Sequence, residues 1–170
     1  MSVRRGATVE IATVLTHDRV MANTYSALYC HLVFSTKNRE PWLRNEVEAR
    51  VWAYLGGIAR DNGMTAVQIG GMPDHVHLLM GLPASIAVSK AAQFIKGGSS
   101  KWIKGEFPDL RGFAWQDGYG AFTVSKSNLP SVIQYIQDQR EHHRVKTFQE
   151  EYLAFLDRHG VVYDKRYVLD

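Results

Sequence analysis

Residues 65–82 read TAVQIGGMPDHVHLLMGL, two short apolar runs joined only by Pro73 and Asp74. Proline presets the backbone dihedral of a tight turn and an aspartate side chain can hydrogen-bond the turn backbone, so the pair predicts an antiparallel hairpin. Its strands are Thr65–Met72 and His75–Leu82. Successive side chains of a strand point to opposite faces, which places His75 and His77 together on one face and Val76 and Leu78 on the other.

Working outward, YSALYCHLVFS at Tyr25–Ser35 is rich in aromatic and branched residues and predicts a strand, followed by a polar connection that contains Pro41. Asn45 with Glu48 three residues on has the form of a capping box. Val47, Val51, Tyr54, Leu55 and Ile58 then keep helical spacing until Asn62 and Gly63 stop the helix. Downstream, Ile86 to about Lys104 predicts a long helix whose apolar face carries Val88, Ala91, Ala92, Ile95 and Trp102. A strand over Tyr119–Val124 follows, and Ser127, Asn128 and Pro130 open a helix carrying Val132, Ile133, Tyr135, Ile136 and Gln139. Thr147 with Glu150 caps a last helix, which ends near His159 and Gly160. The order β, α, β, β, α, β, then two helices is that of an α+β, ferredoxin-like split βαβ sandwich, with helices on one face of an antiparallel sheet, the other face left for a site, and C-terminal helices added.

The chain has 170 residues, 45% of them hydrophobic and 22% charged, enough for one globular domain with a core of its own. Twenty basic against 17 acidic side chains give a net charge of only +3, so a nucleic-acid partner must be met by a local basic stripe. The lone cysteine, Cys30, excludes an internal disulfide framework and fits a cytoplasmic location. Arg4, Arg5, Glu10, His17 and Asp18 interrupt any signal-peptide core, and no apolar run is long enough to span a membrane. Residues 1–20 read as a flexible extension, and residues 21–170 as the single domain.

Two neutral imidazoles side by side suit a divalent metal, hold it weakly, and leave positions for another donor and for substrate oxygens. Histidine pairs on strands are, however, more often ordinary half-buried residues. Tyr135 and Gln139 are four residues apart on a helix, a spacing that puts phenol and carboxamide on one face. A tyrosine nucleophile must reach a phosphorus atom whose oxygen is polarised by a metal, so a ligand one turn away would bring attacker and metal together. From spacing alone, a core-packed Tyr135 beside a solvated Gln139 is the simpler reading. Lys90, Gln93, Lys101 and Lys104 fall along one stripe of the long helix, and Gly97, Gly98, Ser99 and Ser100 would let a phosphate backbone approach. Lys37 and Arg39 follow the first strand and are further candidates for phosphate contacts; a solvated face explains all of these charges equally well.

Together, YCHLVFSTKNREPWL at 29–43, MPDHVHLLM at 72–80, SKAAQFIKGGSSKWIK at 89–104, WQDGYGAFTVS at 115–125 and YIQDQREHH at 135–143 resemble the HUH single-tyrosine transposases, including the palindrome-associated branch. The resemblance spans roughly residues 22–167 and implies a ferredoxin-like fold. It also implies that His75 and His77 are paired metal ligands, Gln139 the third ligand and Tyr135 the nucleophile. Members of that family act on single-stranded DNA with hairpins, use Mg or Mn, and form a 5′-phosphotyrosine; some are homodimers with shared active sites. Softness alone would also permit zinc on the two histidines. Tyr119, Tyr152, Tyr163 and Tyr167 are the competing nucleophiles, while His142 and His143 are read as substrate-binding or helix-end charges outside the metal set. A rolling-circle nicking initiator and a domesticated, noncatalytic DNA-binding relative are the rival readings.

Overall fold

The computed structural model describes residues 25–168, so the extension read over residues 1–20 lies outside the described residues. Four strands, β1 (Leu28–Ser35), β2 (Thr65–Met72), β3 (His75–Leu82) and β4 (Gly120–Val124), form one sheet in the order β2-β3-β1-β4. All neighbours are antiparallel. Between them run α1 (Asn45–Asp61) and α2 (Val88–Glu106), and after β4 come α3 (Leu129–Gln137), α4 (Gln139–His142) and α5 (Phe148–Arg158). The Pro73-Asp74 turn joins β2 and β3 as expected, and the register sets Val33 opposite His77 and Ser35 opposite His75. This is the split βαβ order. β1 begins three residues later than the aromatic run suggested, because Tyr25 and the two residues after it have no strand partner among the described residues.

Alternation decides which face each strand residue serves. Leu32, Phe34, Val76, Leu78 and Met80 point toward α1 and α2, where they bury Val51, Leu55, Ala59, Ala91, Ala92, Ile95 and Ile103 in the main core. Each large aliphatic side chain buried there contributes about 1.5–3 kcal/mol relative to exposure. The opposite face carries His31, Val33, His75, His77 and Leu79, all buried. This is the face expected to carry a site, and the C-terminal helices α3, α4 and α5 form the layer over it. Leu79 packs with Leu129 and Ile136, while Val33 and Phe122 pack with Phe148, Tyr152 and Leu156.

The two capping expectations part company. At α5 the box forms, with Glu150 N–H donating to Thr147 Oγ1 at 3.3 Å and Thr147 N–H to Glu150 Oε2 at 2.8 Å. At α1 the N-cap is Arg44 and no side chain closes it. Asn45 and Glu48 are instead taken by Arg140, whose Nη2 donates to Asn45 Oδ1 at 2.9 Å and to Glu48 Oε1 at 2.6 Å. Gly63, with φ of +72°, ends α1 in the left-handed conformation that glycine adopts without a Cβ penalty.

The helix expected to run through Tyr135 and Gln139 breaks at Asp138, whose dihedrals of −89° and 15° close α3 and open α4. Gln139 nevertheless stays folded back on Tyr135, with its Nε2 3.4 Å from the Tyr135 carbonyl oxygen. α3 sits closely on β2: a Cβ built on Gly70 would lie 2.9 Å from both the carbonyl oxygen and Cγ2 of Ile136. Gly70→Ala is therefore expected to push α3, and Tyr135 with it, off the sheet. The expected loss is about 1–3 kcal/mol, read as a lower urea midpoint; an unchanged midpoint would contradict this packing.

Candidate active site

The site is built on neighbouring strands. His77 is fully buried on β3, and its Nδ1 lies 3.0 Å from Nε2 of His31 on β1, so one ring donates to the other. His75 Nδ1 lies 2.7 Å from Asp74 Oδ1. A carboxylate only accepts, so His75 carries a proton on Nδ1, and in its neutral form the ring presents a lone pair on Nε2. The same reasoning applies to His143, whose Nδ1 donates to the Lys146 carbonyl at 2.8 Å and leaves Nε2 as an acceptor. His77 Nε2 is buried and has no hydrogen-bond partner among the described residues.

Gln139 and Glu151 complete the cluster. The amide nitrogen of Gln139 donates to Glu151 Oε1 at 3.2 Å, which turns its Oε1 toward His75 Nε2 at 3.3 Å and His143 Nε2 at 3.1 Å. Glu151 Oε2 stands 3.1 Å from His143 Nε2, 3.6 Å from His77 Nε2 and 3.8 Å from His75 Nε2. One donor atom each from His75, His143 and Glu151 lie within 4.8 Å of one another. Lone pairs thus face lone pairs in a buried space, an arrangement that a cation relieves.

Burial is the leading influence on His31, His77, His143 and Glu151. Burial holds His77 well below the usual imidazole range, reinforced by His75, His143 and His142; burial does the same to His31, with His77 and His159 adding to it. His143 is lowered by burial first and by His75 second. Burial pushes the Glu151 carboxyl up to about 7, against the pull of His75. For Asp74, burial pulls upward but the hydrogen bond and charge of His75 outweigh it and hold the carboxyl below its usual value.

Tyr135 comes to this cluster from α3 of the same chain. Its half-buried ring stands edge-on to His142, His77 and His31, with centroid separations of 5.1, 5.8 and 6.3 Å. A narrow cleft beside it is lined by Tyr135, His142, Lys146, Glu151, Phe155 and Arg158. A second cleft reaches His75 and His143 past Arg144 and Lys146. The other tyrosines serve packing or tail contacts: Tyr119 lies against the main core, Tyr152 stacks on Phe148, Tyr163 donates its hydroxyl to Asp157 at 3.0 Å, and Tyr167 meets Arg166.

The basic candidates divide between the two sides. Lys90, Gln93, Lys101 and Lys104 are exposed along α2, on the layer that lies across the sheet from the histidines, and Lys90 donates to Gln93 Oε1 at 2.9 Å. Lys37 and Arg39 lie in a short 3-10 turn just after Ser35, the strand partner of His75, and so stand at the histidine end of the sheet. Lys37 pairs with Asp117 at 3.3 Å on the exposed surface.

Sequence reasoning did not assign His31 or Glu151, and it set His143 outside the ligand group. A signal for Glu151 existed. Phe148, Tyr152, Phe155 and Leu156 are spaced as the inward stripe of α5, and Glu151 occupies a position of that stripe.

Comparison with known proteins agrees with the fold. The family described as Transposase IS200 like matches residues 24–139. The ISDra2 transposase TnpA of Deinococcus radiodurans is 30% identical over 116 residues, which span 65% of this chain and 83% of that protein. The transposase for insertion sequence element IS200 of Salmonella typhimurium is 28% identical over 130 residues, 73% of this chain and 84% of its own length. A solved transposase structure from Deinococcus radiodurans R1 has a TM-score of 0.59 at 32% identity and covers 69% of this chain and 94% of that one. A REP-associated tyrosine transposase solved bound to a REP hairpin has a TM-score of 0.54 at 16% identity over 71% of each chain, a likeness of fold alone. His143 and Glu151 lie past the last residue of the family match. No helix among the described residues is long and apolar enough to cross a membrane. A match over residues 24–139, with the split βαβ sheet that carries it, establishes that this chain belongs to the IS200-like transposase family.

Proposed function

We propose that the chain cleaves and rejoins single-stranded DNA at hairpin or palindromic ends through a 5′-phosphotyrosine on Tyr135. The observation that carries this reading is the meeting of the Tyr135 ring with the His31–His77 pair inside one chain. His75, His77 and Gln139 are the residues that would hold a divalent metal, Mg or Mn. They fit one: His77 Nε2 lacks a partner, and the lone pairs of His75 Nε2 and Gln139 Oε1 face each other at 3.3 Å. When bound, the metal supplies positive charge to the oxygens of the scissile phosphate.

Tyr135 Oη attacks the phosphorus in line, the bond from phosphorus to the 3′ oxygen breaks, and the departing oxygen takes up a proton to become a 3′-hydroxyl. His142, whose ring stands edge-on to that of Tyr135 and whose pKa burial lowers, would receive the phenolic proton. Attack by a different 3′-hydroxyl on the phosphotyrosine reverses these bond changes and joins new ends without ATP. Lys146 and Arg158 in the cleft, with Lys37 and Arg39 at the same end of the sheet, suit the phosphates of the single strand. The α2 stripe of Lys90, Gln93, Lys101 and Lys104 suits the backbone of a hairpin stem. Because one chain brings phenol and imidazoles together, a homodimer with shared active sites is not required for the chemistry.

The test is a denaturing gel of the protein with labelled hairpin-bearing single-stranded DNA and Mg or Mn. A metal-dependent covalent adduct is expected; binding without an adduct would favour the noncatalytic reading. Asp74→Asn, which leaves His75 without its anionic partner, is expected to weaken metal binding about 10–100-fold by calorimetry.

A further inference from the structure

We infer that α5 supplies a metal ligand of its own, Glu151, and that with His143 it extends the His75, His77 and Gln139 set, so that metal binding fastens the C-terminal helix onto the sheet. This rests on the reading of His75 and His77 as metal ligands. Glu151 is 3% exposed although its neighbours Glu150 and Gln149 face solvent, and it fills a place in the inward stripe of α5 that packing alone would give to an apolar side chain. Burial of a carboxylate is costly unless something opposes its charge.

Among the described residues no Lys or Arg performs that role, and the ion pairs of Glu151 there are with His75, His77, His142 and His143. Two of these rings already spend a proton elsewhere. His75 gives its Nδ1 proton to Asp74 and His143 gives its own to the Lys146 carbonyl, so both turn bare Nε2 atoms toward the Glu151 oxygen. Gln139 adds a third acceptor to the same space, since its only amide nitrogen is committed to Glu151 Oε1 and the Tyr135 carbonyl. Imidazole nitrogens, a carboxylate and an amide oxygen form a donor set for a divalent cation, and second partners on His75 and His143 are what ligating histidines ordinarily have.

His143 and Glu151 both follow Gln139, the last residue of the family match. The C-terminal segment of this chain thus supplies two of the proposed ligands from beyond that match. Because α5 would be tied to the sheet through the metal, occupancy and docking of α5 stabilise each other by the same free energy.

The test is calorimetric titration of the full chain with Mn²⁺, alongside Glu151→Gln and His77→Ala and with thermal unfolding of each metal-free variant. The isosteric Glu151→Gln is expected to lose at least about 10-fold in Mn²⁺ affinity, and Mn²⁺ is expected to protect the 143–147 connection from proteolysis in the wild type far more than in the variant. Wild-type affinity in Glu151→Gln, with binding lost in His77→Ala, would overturn the role of α5 while leaving the two-histidine site intact. Unchanged affinity in both variants would overturn the metal site itself. If Glu151→Gln fails to fold, His143→Ala at the rim carries the same expectation, and wild-type Mn²⁺ affinity there overturns the inference.

Discussion

Tyr135→Phe is expected to abolish covalent attachment to DNA, a loss of at least about 10⁴-fold, the scale on which removal of a nucleophile is felt. Hairpin DNA should still bind with little change, because the ring and its edge-on contacts with His31, His77 and His142 remain while only the hydroxyl is gone. Metal affinity should also survive, since no ligand is touched. Gel-shift and denaturing-gel assays on one preparation read both quantities. An adduct of ordinary yield would move the nucleophile elsewhere, although Tyr152 is buried and Tyr163 has its hydroxyl engaged by Asp157.

His77→Ala has the second largest expected effect, through binding rather than attack. Removal of the fully buried imidazole takes away a nitrogen that has no hydrogen-bond partner among the described residues, and the bond to His31. Adduct formation should fall on the order of 10²–10³-fold, the range found when a group that stabilises developing charge is lost. Stability offers an independent readout. At 100 times its dissociation constant a metal raises folding stability by about 2.7 kcal/mol, so Mn²⁺ should shift the urea midpoint of the wild type and not that of His77→Ala. An equal shift in both would place the metal elsewhere.

Much of this site is legible in the sequence because its first half is local. Two residues of turn chemistry at Pro73 and Asp74 fix a hairpin, strand alternation puts His75 and His77 side by side, and a four-residue interval brings Gln139 back to Tyr135 even across the break at Asp138. The other half is not local. Glu151 lies 76 residues after His75 and meets it only through the fold, so its place in an apolar stripe is visible while the meaning of that place is not. The capping pattern at Asn45 and Glu48 failed for a similar reason, since Arg140 from α4 takes both side chains. The stripe on α2 is correct as a pattern, yet only the topology reveals that it lies across the sheet from the histidines. The face of the sheet expected to carry a site does hold the histidines, with the C-terminal helices packed over it.

The most direct measurement is to trap the protein on a labelled single-stranded hairpin substrate with Mn²⁺, digest it, and locate the nucleotide-bearing peptide by mass spectrometry. The expected peptide carries a phosphodiester on Tyr135 linked to the 5′ end of the DNA. Attachment to any other residue, or cleavage that proceeds with no linkage to the protein, would contradict the central claim.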